Sequence, residues 1–108
     1  MGLFFWKDNK KIDAFAFALA EDLFSQVQPD VAAQHFTGSG LDNKKKKRKI
    51  EERFQALMGQ MREFNLTNSL GIYGKARLQK TFSDRLLELG YDDAVTHKLV
   101  ETIVFRNI

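Results

Sequence analysis

At 108 residues, with 44% hydrophobic residues, ten Phe and a single Pro, the chain has the size and apolar content of one packed domain and not of a disordered segment. Its 17 basic and 14 acidic residues give a formal charge of +3, but without Lys44, Lys45, Lys46, Lys47, Arg48 and Lys49 the balance is 11 against 14, or −3, so all surplus positive charge sits in one run. The absence of Cys excludes disulfides, thiolate metal sites and cysteine nucleophiles, and no stretch approaches the ~20 apolar residues of a membrane span.

The chain opens on "MGLFFWK", an apolar tip over residues 1–7 in which Phe4, Phe5 and Trp6 stand ahead of the first helix. Either they fold back onto the core, or they offer an apolar contact to a partner or a bilayer interface, where Trp beside Lys is at home. Lys7, Lys10 and Lys11 followed by "AFAFALA" imitate a secretory signal, but Asp13 interrupts the apolar stretch and the helical spacing runs on to Leu23 and Val27. Gly2 is followed by Trp6 where a myristoylation pattern needs Ser or Thr.

Ile12, Phe15, Ala16, Leu19, Leu23 and Val27 step by three and four, which predicts a helix over about 10–28. Pro29 ends it and opens a short second helix over "PDVAAQHF", since Pro lacks the N–H that a helix interior needs but a first turn does not. Residues 37–43 read as a flexible loop whose Asp42 or Asn43 caps the next element. Ile50, Phe54, Leu57, Met58, Met61 and Phe64 predict a third helix over about 43–64, broken by "NLTNSLGI".

The basic run occupies the start of this third helix, residues 44–49. There the unpaired N–H groups and the dipole make each cation cost about 0.3 to 1 kcal/mol at low salt. Like charges ~6 Å apart add about 0.7 kcal/mol per pair in water, and Glu51 and Glu52 are placed to offset part of this through i,i+4 pairs with Lys47 and Arg48. A run this unfavourable to its own helix is either a solvated, solubilising end or the contact for an anionic partner. Nucleic acid leads among such partners, with five phosphate contacts implying a log affinity against log salt slope of about −4 to −5; an acidic membrane surface ranks behind it, and needs the apolar tip on the same side as the run. "KKKKRK" also resembles a single-cluster nuclear localisation signal, so the expected compartment is the cytoplasm, or the nucleus in a eukaryotic host.

A fourth helix is expected to begin between Ser69 and Lys75, turning Leu78, Phe82, Leu86 and Leu89 inward and closing at Gly90. The G-x-x-G of "LGIYGKARL" is similar in spacing to the nucleic-acid clamp of the KH domain, although Ile72 and Tyr73 stand where that clamp prefers small or basic residues and no flanking strands are apparent. Lys75, Arg77 and Lys80 form a second basic cluster that a helix start could use to hold a phosphate. Asp92 caps a fifth helix that buries Val95, Leu99, Val100 and Ile103, and "ETIVFRN" has strand-like composition without a partner strand. "LLELGYDDAVTHKLV" is similar to the helix, Leu-Gly-Tyr turn, helix of ubiquitin-associated-type modules and has the shape of a helix-turn-helix, though Asp92 and Asp93 would bring negative charge to a recognition helix.

Asp93, His97 and Glu101 share a face at i,i+4 spacing, a solvated polar face before it is a metal site, and no motif joins a nucleophile to a base. The expectation is therefore an all-α bundle of four to five helices, a single domain over 1–108, acting by binding and not by catalysis, with no cofactor and no small-molecule substrate implied. The rival is a protein-interaction or structural module, self-associating or not, that uses the apolar tip and the helix faces.

Overall fold

A computed structural model describes residues 6–37 and 44–108, with side chains from Asn9 onward. Among these residues lie five α-helices and no strand: α1 (Trp6–Gln26), α2 (Pro29–Thr37), α3 (Lys44–Asn68), α4 (Ile72–Glu88) and α5 (Asp93–Ile103), then a 3₁₀ turn over Phe105–Asn107. The all-α bundle is as the periodicity requires. Phe4, Phe5 and the Asp42 or Asn43 cap lie outside the described residues, as does the 37–43 loop apart from Thr37, which ends α2.

Contacts at a constant spacing in sequence fix how the helices run. Arg77 reaches Asp13, Arg85 reaches Glu21 and the Tyr91 hydroxyl reaches the Val27 carbonyl, each 64 residues away, so α1 and α4 run parallel. Phe15 stacks on Phe64 with centroids 4.0 Å apart, Gln60 bonds Asp22 and Arg53 bonds Gln26; here one number rises as the other falls, and α3 runs antiparallel to α1. Ala16 and Ala20 of α1 and Gly74 of α4 are all buried. The core joins Leu19 and Leu23 to Leu57 and Met61, to Leu78, Phe82 and Leu86, and to Leu99 and Ile103.

The helix ends follow local chemistry. Gly90, at φ +106°, closes α4 while Gly90 N–H donates to Leu87 O and Tyr91 N–H to Leu86 O, the paired bonds of a Schellman closure. Asp92 accepts a bond from Val95 N–H and caps α5. Three boundaries differ from expectation. The first is the start of α1, which lies at Trp6 and not near residue 10, so that Trp6 and Lys7 belong to the helix and not to a tip ahead of it. The third helix continues four residues past Phe64 because Asn68 bonds the Phe64 carbonyl and Ser69 supplies the left-handed closure, at φ +47°, before buried Leu70. The strand-like "ETIVFRN" is helical because Asn107 turns back on α5, donating to Ile103 O at 2.8 Å and Thr102 O at 3.2 Å while accepting from Arg62 at 2.6 Å.

Candidate nucleic-acid interface

The whole basic run is helical, and Lys44, Lys45, Lys46, Lys47, Arg48 and Lys49 are all exposed. No acidic residue stands in the first turn of α3 to offset them. Among the described residues no carboxylate lies within 4.0 Å of Lys44, Lys46, Lys47, Arg48 or Lys49; the expected pairs Lys47 to Glu51 and Arg48 to Glu52 are not formed. At about 100° per residue, six consecutive side chains encircle the helix and do not share a face. Their partners must therefore be found flank by flank.

On one flank, Lys46, Lys49 and Arg53 follow each other at i, i+3 and i+7 and line a groove of about 260 Å³ with Gln26, Val31, Gln34 and Ile50. Ile50 is buried and Val31 half-buried, so the groove has an apolar floor. Arg53 is held there by a 3.0 Å bond from Nη1 to the Gln26 carbonyl, at the end of α1 where carbonyls lack helical partners. On the other flank Lys47 and Glu51 approach His35. Burial holds the His35 imidazole below its ordinary pKa, Glu51 opposes the shift and Lys47 adds to it. The ring packs edge-on to Phe36 and Phe54, and its Nδ1 is buried without a hydrogen-bond partner.

The second basic cluster is placed elsewhere and is largely neutralised. Arg77 spends its fork on Asp13, with bonds of 3.0 and 2.8 Å, and Lys80 pairs with Asp84 at 3.2 Å. The Arg77 hydrogen bond is the main reason the Asp13 carboxyl stays below its ordinary pKa, against the opposing effect of burial and with help from Thr81. Lys75 is half-buried in the first turns of α4, and its N–H is taken by the Gly71 carbonyl. Because α4 runs parallel to α1 and α1 antiparallel to α3, this cluster and the Trp6 end of α1 lie on the order of 30–40 Å from the basic run at 1.5 Å per helical residue. Phe4 and Phe5, the other members of the expected apolar tip, lie outside the described residues.

Gly71 caps α4 and Gly74 is buried in its first turn, so the G-x-x-G is a helix start and not a loop between strands. His97 approaches Glu101 at 3.7 Å, and no group of three His, Asp or Glu among the described residues could hold a metal ion. None of the described helices is long and apolar enough to cross a membrane. Arg53 and the two glutamines escaped sequence reasoning. Arg53 was within reach as the next member of the Lys46, Lys49 stripe, whereas Gln26, Val31 and Gln34 come from helices that only the tertiary fold brings alongside. No protein-family model, curated protein or solved structure matches the chain.

Proposed function

We propose that the chain is a non-catalytic helical module that binds nucleic acid electrostatically through the basic start of α3. The observation that carries this reading is the state of the run: six exposed cations at a helix end that disfavours them, five of them without a carboxylate partner among the described residues. A sequence-independent phosphate contact uses such charge directly, because each ammonium brought to a phosphate releases a condensed counterion. Lys44 to Lys49 and Arg53 are the residues assigned to it. Arg77 and Lys80 already hold partners of their own, and Lys75 is remote from the run.

Fluorescence anisotropy with a labelled 20-nucleotide strand tests the proposal against a variant with all six run residues changed to Gln. Binding by the natural sequence and its loss in the variant support the reading; equal binding by both overturns it. A second reading, a protein-interaction module, is favoured by Leu66, Ile72 and Tyr73, exposed at 80%, 91% and 52% on either side of the α3–α4 turn. In that case Leu66→Ser with Ile72→Ser abolishes assembly with a partner or second copy while strand binding is unchanged.

A further inference from the structure

The groove beside the run has features that phosphate contact alone does not require. Its floor is apolar, from Val31 and Ile50. One wall carries Gln34, exposed and without a side-chain hydrogen bond among the described residues, and Gln26, whose Nε2 is held at 2.7 Å by Asp22. Its rim is Lys46, Lys49 and the anchored Arg53, and no carboxylate among the described residues lines it. A rim that attracts a polyanion, a floor that favours an apolar face and amides that can meet polar edges form one combination: a place for the base of a nucleotide whose phosphates lie on the rim. At about 260 Å³ the groove falls just below the ~300 Å³ lower bound for drug-sized ligands, a size that suits one planar base and not a longer segment.

We infer that the partner is single-stranded nucleic acid and that one unstacked base seats in the groove between the end of α1, α2 and the start of α3. This rests on the nucleic-acid reading above and adds to it the form of the strand. A duplex keeps its bases paired and stacked and offers nothing to the groove, whereas a single strand can turn a base out at little cost. Recognition is of a base as such, because the aliphatic floor of Val31 and Ile50 presents no hydrogen-bond pattern that would select among bases. An acidic peptide with an aliphatic side chain would meet the same charges, and the test includes it as a competitor.

Anisotropy is measured with four probes of equal phosphate or carboxylate count: a 12-nucleotide thymidine strand, the same strand made wholly of abasic residues, a duplex, and a Glu/Leu peptide. The variants are Gln34→Ala, at an exposed position that does not threaten the fold, and Val31→Asn, with helicity checked by circular dichroism. The inference predicts thymidine binding about tenfold tighter than abasic binding, a ~1.4 kcal/mol equivalent that matches the burial of roughly 55 Å² of apolar surface at about 25 cal/mol/Å². It also predicts that Val31→Asn erases most of that advantage and Gln34→Ala part of it, with abasic affinity unmoved in both. Equal binding of thymidine and abasic strands, with both variants silent, overturns the base site and leaves the electrostatic function standing. Tighter binding of the Glu/Leu peptide than of thymidine overturns the base site in favour of an acidic protein segment. Failure of every strand to bind overturns both readings.

Discussion

Changing Lys44, Lys46 and Lys47 to Gln is predicted to make the protein more stable while weakening its hold on anions. All three are exposed in the first turn of α3, where no acidic side chain compensates them and no carboxylate pairs with them among the described residues. Each cation in that position costs about 0.3 to 1 kcal/mol at low salt. Lys and Gln have nearly the same helix propensity, so the substitutions leave that contribution in place. Removing three charges therefore stabilises the fold by about 1 to 3 kcal/mol, equivalent to a rise in Tm of roughly 5–15 °C for a domain of this size. The gain should shrink towards zero in 1 M salt, where the Debye length is about 3 Å. Urea unfolding followed by circular dichroism at 20 mM and at 1 M NaCl reads both effects. A triple variant no more stable than the natural sequence at 20 mM would refute the reasoning, since the run would then cost its helix nothing.

Three further outcomes follow from the closures that set the bundle. Tyr91→Phe removes the buried hydroxyl that donates to the Val27 carbonyl at the α1–α2 junction, and the unsatisfied acceptor should lower urea stability by about 1–3 kcal/mol. Gly90→Ala should cost about 1–2 kcal/mol by the same assay, through the backbone and not through crowding: the residue stands at φ +106°, and an added Cβ would meet Pro29 only at an ordinary 3.7 Å. His35 gives stability a pH dependence of defined sign. Its depressed pKa means that below about pH 6.5 the unfolded chain takes a proton that the folded chain refuses, so stability should fall on acidification through that point and level off below the folded-state value, and His35→Gln should flatten the fall.

Local chemistry was readable in the chain. Pro29, Gly90 and Asp92 each have a backbone consequence that does not depend on distant residues, and each sits at the boundary it marks. The apolar stripe of α5 was equally plain, because Val95, Leu99, Val100 and Ile103 are all buried as their spacing requires. Propensity failed at the end of α3: Asn65, Thr67 and Asn68 are poor helix formers, yet the Asn68 bond to Phe64 and the turn at Ser69 carry the helix through them. The candidate site was legible as charge and illegible as shape. Composition located the run, but its groove depends on α2 lying alongside, and pairing of Arg77 with Asp13 joins residues 64 apart that no periodicity connects.

The salt dependence of single-strand binding tests the electrostatic contact most directly. The exposed run is proposed to make five phosphate contacts, and that number sets the expected steepness. At about 0.7 counterions released per contact on a single strand, log affinity against log salt should fall with a slope of about −3.5 between 50 and 200 mM. An affinity unmoved by salt over that range, or no measurable binding at 50 mM, would contradict the account.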